Sequence, residues 1–389
     1  MTSVLDIAKE INKKYKDNEV LIAGDMLPDT RMLSFGVLSA DYPLKGGLPY
    51  GSIIEISGQF ASGKTTLAAL AVANWQRKNP DKVCIWVDVE SSIKMQLPHF
   101  KKMTGLQTDE DHLLVYNCTG KSADSIFADI IDLQTQADNI GMIVVDSVAA
   151  LVSDSDLESD FEKDNGMRAT TAKSIGKFLR FIEGWLQKKN NILILINQTV
   201  DIGTTFTGAK IYDELRGKAM KFYPHVKIRC GTRTFIKDGK NDLSITKAEG
   251  ATGYRINFNV MKSKISATNK GGGFVSFDYE SGIDDIIDTI EVAIKCEFIR
   301  RPNNMTYIIY DLDKDEVMLD ENGDELRFVG KPKLIDYIQS NPAFKETYFN
   351  MLSKHLNNDA VGVSLLEQEQ LDEIQNEEEN NKWVYIAHL

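Results

Sequence analysis

A glycine-rich segment between two apolar runs constrains the fold of this chain more than any other feature. Residues 58–66 read Gly-Gln-Phe-Ala-Ser-Gly-Lys-Thr-Thr, one residue after the apolar run 52–56 and directly before the apolar run 67–72. The pattern G-x-x-x-x-G-K-[ST] between a strand and a helix is typical of a loop whose backbone N–H groups surround a triphosphate. The alternative is a glycine turn that only opens a helix. The strand and helix context favours nucleoside triphosphate binding.

Each polar side chain of this loop has an expected role. Lys64 is expected to reach the terminal phosphates, and the Thr65 hydroxyl is expected to ligate magnesium. The glycines let consecutive N–H groups face the phosphates. The residues that we expect to contact the nucleotide are Gly58, Ser62, Gly63, Lys64, Thr65 and Thr66.

Composition indicates a globular protein of a reducing compartment. A chain of 389 residues with 42% apolar residues has room for two or three domains with a real core. The four cysteines are far apart and form no C-x-x-C pair, so the sequence predicts neither a zinc site nor a disulfide scaffold. No apolar run approaches the roughly 18 residues of a membrane helix, and the N-terminus is charged, so we expect a cytoplasmic protein.

The periodicity of apolar residues predicts an α/β fold with a mostly parallel sheet. Short apolar strands alternate with helical patterns through residues 33–284, as in sheets with helices on both faces. A helix and a short strand at 20–23 precede this region, in residues 1–32. Residues 285–357 change to a small α+β pattern, and residues 358–389 form an acidic tail. The net charge of −12 taken alone argues against a protein that coats nucleic acid, although much of the excess is local to such acidic segments.

Polar residues at the ends of predicted strands are the next candidates, because ligands of an open parallel sheet lie beyond the carboxyl ends of its strands. Glu90 follows the strand 83–89 and could orient the water that attacks the terminal phosphate; a helix N-cap region is the alternative. Asp146 ends the strand 142–145 and is the expected partner of the magnesium ion at Thr65. Gln198 could bond the terminal phosphate and report its presence, or be merely structural.

Longer stretches then carry a family resemblance. Residues 46–56 lead into the loop, residues 143–151 surround Asp146, and Ile-Asn-Gln at 196–198 and Lys-Ser-Lys-Ile at 262–265 follow in order. Through most of its length the chain resembles the RecA-type homologous recombinases, which include the phage-encoded UvsX kind. The fold that this resemblance implies is a RecA-like P-loop ATPase core with an N-terminal oligomerisation segment and a small C-terminal domain.

The resemblance also implies roles for single residues. Glu90 would activate water, Gln198 would couple the nucleotide to a DNA-binding loop, and Phe100 would stack on adenine, although an aromatic residue there could equally be core packing. Lys262 and Lys264 resemble lysines that reach the ATP of the neighbouring subunit; a solvated strand face is the alternative.

Two stretches, 153–168 and 199–218, correspond to the family's DNA-binding loops. The second mixes apolar, glycine and basic residues, which suits unstacked bases and phosphates but is also typical of an exposed loop. The first stretch, 153–168, is acidic apart from Lys163 and Arg168. The residues that we expect to contact DNA are Met167, Arg168, Ile202, Gly203, Phe206, Arg216, Gly217 and Lys218.

The function that the resemblance implies is ATP- and Mg²⁺-dependent DNA strand exchange. The expected partners are single-stranded DNA, a homologous duplex and further copies of the chain in a helical filament. A single-strand-binding protein and a loading mediator are also expected, in the cytoplasm of a bacterial cell and with phage encoding as one origin. A hexameric DNA helicase and a regulatory or mediator P-loop ATPase without strand exchange remain the alternatives.

Overall fold

A computed structural model describes residues 3–14, 31–157, 167–204, 210–215, 217–237, 240–245, 250–265, 271–311 and 314–358. The chain divides into two compact units, Met1–Arg31 and Met32–Leu389. The first unit contains an amphipathic helix, α1 (Val4–Lys14), as predicted, on which Val4 and Ile7 are exposed. The strand predicted at 20–23 lies outside the described residues.

The second unit contains the remaining described elements, numbered in chain order. Its helices are α2 (Leu38–Asp41), α3 (Lys64–Lys78), α4 (Ile93–Thr104), α5 (Ala123–Gln136), α6 (Asp154–Leu157), α7 (Met167–Lys189), α8 (Gly217–Phe222), α9 (Asp285–Lys295), α10 (Lys331–Ser340) and α11 (Pro342–Asn358). Its strands are β1 (Met32–Leu33), β2 (Leu48–Pro49), β3 (Ile53–Gly58), β4 (Val83–Asp88), β5 (Leu113–Asn117), β6 (Ile140–Asp146), β7 (Leu193–Thr204), β8 (Lys210–Glu214), β9 (Val226–Cys230), β10 (Thr234–Lys237), β11 (Lys240–Ile245), β12 (Gly253–Ser263), β13 (Gly272–Asp278), β14 (Gly282–Ile283), β15 (Ile299–Arg300), β16 (Thr306–Asp311), β17 (Glu316–Val317) and β18 (Arg327–Val329).

A large sheet in the order β11-β10-β12-β9-β3-β7-β6-β4-β5 organises this unit. The six strands from β9 to β5 in that order are parallel. Helices cover both faces of this part, so the predicted α/β fold with a mostly parallel core is confirmed. The carboxyl ends of these strands lie at one edge of the sheet, where β3 leads into the loop before α3.

The alternating side chains of the parallel strands are buried on both faces, since each face packs under helices. On β3, Ile54 and Ile56 belong to the cluster that α3 and α4 cover, whereas Ile53 belongs to the cluster under α5 and α7. Leu193 and Ile194 of β7 divide between the two clusters in the same way. Two buried faces explain why these strands read as continuous apolar runs.

The antiparallel half of the sheet was not predicted. Strand β12 pairs with β9, β10 and β13, and β10 pairs with β11, all antiparallel. Strand β7 also continues beyond the sheet to Thr204 and pairs with β8 as an antiparallel hairpin. The stretch predicted as the second DNA-binding loop is therefore largely a β-hairpin, of which residues 205–209 and 216 lie outside the described part.

The C-terminal elements form a second, smaller sheet. Strands β15, β17 and β18 all pair with β16, and α9, α10 and α11 share an apolar cluster with them that includes Phe298, Tyr348 and Leu352. This agrees with the predicted α+β pattern, while the exact domain limits at 33 and 285 stay a prediction. The acidic tail lies outside the described residues. In the described part of the chain, no helix combines the length and the apolar character needed to cross a lipid bilayer.

Candidate active site

The loop between β3 and α3 has the backbone that close approach to an anion requires. Gly63 adopts φ +92°, and a Cβ atom there would lie 2.6 Å from Ile256 Cδ1, so a side chain is excluded. The buried Ser62 Oγ has no hydrogen-bond partner among the residues that the structure describes. A buried unpaired hydroxyl at a helix N-terminus fits a phosphate oxygen as its partner.

Lys64 lies inside the same loop. Its ammonium donates a hydrogen bond to the Gln59 carbonyl at 2.7 Å, and the residue is 9% exposed. Burial lowers the pKa of Lys64, while the Cys230 thiol, Asp146 and Glu90 oppose that shift. An anionic phosphate group in the loop would favour the charged ammonium and relieve its desolvation.

Asp146 ends β6 beside the loop, as predicted. Burial, and then the charge of Glu90, raise the pKa of Asp146 to about 7, while a hydrogen bond from the Thr65 hydroxyl lowers it. A carboxylate and a hydroxyl are oxygen ligands of the kind that magnesium prefers. Within the described ranges no group of three or more His, Cys, Asp or Glu side chains could hold a metal by itself. The pair therefore fits a magnesium ion that takes its other ligands from nucleotide and water.

The two carboxylates after β4 have different roles. Asp88 accepts hydrogen bonds from the backbone N–H groups of Ser92 and Ile93, at 3.0 and 3.2 Å, and so caps the start of α4. Glu90 points to the end of β6, where Ser147 Oγ donates to its Oε1 at 2.6 Å. The capping alternative for this segment therefore describes Asp88, and the catalytic role of Glu90 stays a prediction.

Gln198 lies at the same carboxylate. Its Nε2 donates to Glu90 Oε1 at 3.3 Å, and both side chains are exposed at the carboxyl edge of the sheet. Gln198 is also the residue at which β7 leaves the sheet toward the hairpin. The Glu90 carboxylate, which follows β4, therefore joins the end of β6 to the start of the hairpin. Ser147 was missed by sequence reasoning, although it directly follows the predicted magnesium ligand.

Known proteins are similar to this chain over most of its length. A family model described as the RecA N-terminal domain matches residues 3–284. The chain is 31% identical over 354 residues to Protein RecA of Mycoplasma mobile, across 90% of this chain and 95% of that protein. It is 31% identical over 296 residues to Protein RecA of Colwellia psychrerythraea, across 75% of this chain and 79% of that protein.

The chain belongs to the RecA family. Among solved structures, the crystal structure of the RadB recombinase aligns with a TM-score of 0.44 and 20% identity, over 65% of this chain and 99% of that chain. A particular likeness to the UvsX kind stays a prediction.

In this RecA-family chain the residues predicted to contact DNA divide into two sets. Ile202 and Gly203 are exposed on the outer part of β7, and Gly217 and Lys218 are exposed at the start of α8. Met167 and Arg168 begin α7, and their side chains lie outside the described part, as do Phe206 and Arg216. Ile202 and Gly203 thus lie within the hairpin, and Gly217 and Lys218 follow it in the chain.

Lys262 and Lys264 do not approach the phosphate loop of their own chain. Lys262 Nζ donates to the carbonyls of Lys221 and Phe222 at 3.2 and 2.8 Å, at the end of α8. The Lys264 backbone N–H donates to the carbonyl of His225, whose own N–H donates to Ile53 at the start of β3. Since β3 rises about 3.3 Å per residue, the loop begins roughly 17 Å farther along the sheet. The lysine pair therefore lies toward the amino edge, opposite the nucleotide site.

One predicted nucleotide contact needs correction. Phe100 is 2% exposed, belongs to the apolar cluster under α3 and α4, and lies 6.2 Å from the Trp86 ring between centroids. It has no free face for an adenine, so the core-packing alternative describes it. Thr66 is buried and its hydroxyl bonds to Tyr254, so its predicted contact would use the backbone N–H and stays a prediction.

Proposed function

We propose that this chain is an ATP-dependent recombinase that assembles on single-stranded DNA and exchanges strands with a homologous duplex. The observation that carries the proposal is the contact of Gln198 with Glu90. Through it, a group at the nucleotide site touches the start of a hairpin on which Val200 and Ile202 are exposed. Membership of the RecA family supports the same conclusion.

The residues of the site divide the work of hydrolysis. The loop N–H groups, Ser62 and Lys64 would hold the phosphates, and Thr65 and Asp146 would hold magnesium, which neutralises phosphate charge. Glu90 would orient the attacking water and accept its proton. The Gln198 amide would exchange Glu90 for the terminal phosphate, so that the presence of ATP is reported to the hairpin.

A second copy of the chain would complete the site. Lys262 and Lys264 cannot reach the loop of their own chain, but a head-to-tail neighbour would present them to it. Such a contact is heterologous, and when the rotation does not close it gives a helical filament. The exposed apolar residues of α1, Val4 and Ile7, offer a further contact for such assembly. A single-strand-binding protein and a loading mediator would act on the same filament.

The test is the ATPase rate with and without single-stranded DNA, combined with electron microscopy in a slowly hydrolysed ATP analogue. The proposal expects hydrolysis that DNA stimulates, and open helical filaments. Closed rings that unwind duplex would favour a helicase, and hydrolysis indifferent to DNA would favour a regulatory ATPase.

A further inference from the structure

Three polar side chains cross the middle of the central sheet, where the strands are otherwise apolar. Glu55 on β3 and Asn197 on β7 are 0% exposed, and Lys227 on β9 is 6% exposed. Strand β3 lies between β9 and β7, so the three side chains are neighbours. Charges in such an interior cost several kcal/mol unless they are paired. None of the three belongs to the nucleotide-binding loop.

Their contacts use every polar atom of the Asn197 amide. Lys227 Nζ lies 2.9 Å from Glu55 Oε2, and Asn197 Nδ2 donates to Glu55 Oε1 at 2.7 Å. The same Nδ2 donates to the Leu215 carbonyl at 2.9 Å, and Asn197 Oδ1 accepts from the Gln198 backbone N–H at 2.9 Å. The hydrogen bond to Glu55 Oε1 therefore holds the amide in one orientation.

The two ends of this contact chain are the two roots of the hairpin. Gln198 is where β7 leaves the sheet, and Leu215 directly follows β8, where the chain returns. The Leu215 backbone N–H also donates to the Gln198 carbonyl at 3.2 Å. Any displacement of the Gln198 backbone therefore reaches Leu215 through the Asn197 amide.

We propose that Asn197, held by its hydrogen bond to Glu55, is the positioning residue that couples the nucleotide site to the β7–β8 hairpin. The inference rests on the proposed function, in which the hairpin binds DNA. Gln198 contacts the terminal phosphate. Asn197 then passes the resulting shift of the Gln198 backbone to Leu215, where the chain returns from the hairpin. Without the Asn197 amide, the two roots keep their direct Leu215–Gln198 backbone hydrogen bond but lose the link to the buried Glu55.

The variant Asn197→Ala tests this role. We expect the ratio of DNA-stimulated to DNA-free ATPase rates to fall by about ten-fold, because two buried hydrogen bonds to the hairpin roots are lost. The affinity for a fluorescent ATP analogue stays within about two-fold, since the side chain contacts no loop residue. Asn197→Ser replaces it if the alanine variant does not fold.

The matched control is Asn191→Ala. Asn191 is also 0% exposed and lies two residues before the start of β7. It donates to Gln134 Oε1 at 3.2 Å, far from the hairpin. It should lower the melting temperature without changing the ATPase ratio, which separates coupling from stability.

A double variant tests whether Asn197 needs the charges of Glu55 and Lys227 or only a hydrogen-bond acceptor at position 55. Glu55→Gln with Lys227→Met removes both charges but leaves a side-chain carbonyl that accepts from Asn197, so the ratio should stay within about two-fold of wild type. Loss of the ratio in this variant, or a wild-type ratio in Asn197→Ala, would overturn the assignment to Asn197. A wild-type protein whose hydrolysis ignores DNA would instead overturn the proposed function.

Discussion

The two edges of the central sheet differ in what they present to a nucleotide. The carboxyl edge collects the phosphate loop, Asp146, Glu90 and Gln198: Gln198 donates to Glu90, and Thr65 of the loop donates to Asp146. The amino edge exposes Lys264 beside Glu183, with its Nζ 4.0 Å from the carboxylate. The carboxyl edge holds the residues proposed to bind a nucleotide, whereas the lysines proposed to reach ATP lie toward the amino edge of the same chain. Under the proposed function, a full catalytic site therefore forms between copies.

The largest effect is expected at the carboxyl edge. Lys64→Ala should abolish nucleotide-dependent DNA binding, because it removes the only loop ammonium and with it charge-assisted bonds to phosphate worth about a hundred-fold in affinity. Fluorescence anisotropy of labelled single-stranded DNA with and without ATP analogue measures this. Binding that still responds to the nucleotide would show that the loop is not the sensor.

Glu90→Gln should separate binding from turnover at the same edge. The amide keeps the shape of the side chain but cannot accept a proton, so we expect hydrolysis to fall by about 10³-fold with nucleotide affinity retained. Glu110→Gln, on an exposed turn, is the control. A Glu90→Gln protein with normal turnover would remove Glu90 from the mechanism.

The double variant Lys262→Ala, Lys264→Ala should lower the ATPase rate of the assembled protein only. Removal of cations that stabilise the transferring phosphate from the neighbour should lower the DNA-stimulated rate by about 10²-fold. Nucleotide binding by the dispersed subunit should be unchanged, since the lysines lie at the other edge. Lys237→Ala on β10 is the matched control. A loss of nucleotide binding in the dispersed subunit would contradict the comparison of the two edges.

Acid should weaken magnesium binding at the carboxyl edge. The pKa of Asp146 is raised to about 7, so the carboxyl holds a proton below that pH, and a cation must displace it. Between pH 8 and pH 6 the apparent Mg²⁺ affinity should therefore fall by about ten-fold, beyond the effect of nucleotide protonation. Magnesium titrations of nucleotide binding at both pH values measure this, with Asp146→Asn as the control that lacks the titrating group. An equal pH dependence in that variant would exclude Asp146.

The smallest change in nucleotide affinity is expected from Phe100→Leu. The core loses packing and about 1 kcal/mol of unfolding free energy, while nucleotide affinity changes less than about two-fold. Denaturant unfolding and nucleotide titration of the same sample decide the point. A ten-fold loss of affinity at unchanged stability would restore the stacking role.

Local patterns were predicted well from the sequence. The phosphate loop and Asp146 each depend on a few adjacent residues after an apolar strand, and parallel strands bring their ends to one edge. The stacking role predicted for Phe100 was wrong because its spacing from Leu97 and Met103 fits a buried helix face as well as a ligand site. Burial depends on what packs above the helix, which the local sequence does not specify.

Features that depend on distant pairing were not predicted. The β7–β8 hairpin and the antiparallel strands beyond β9 require partners that the local pattern does not specify. The ion pair of Glu55 and Lys227 joins residues far apart in the chain. Its one local signal was a glutamate inside a strand with both faces buried, which requires a buried cation nearby.

Mixing two inactive variants tests the shared site most directly. Glu90→Gln retains the lysines, and the Lys262→Ala, Lys264→Ala double variant retains the phosphate loop and Glu90. If lysines act on the neighbour's nucleotide, an equal mixture should recover about a quarter of the wild-type DNA-stimulated ATPase rate, because about one interface in four joins two intact halves. If the mixture is no more active than the two proteins measured separately, each chain completes its own site, and the account is wrong.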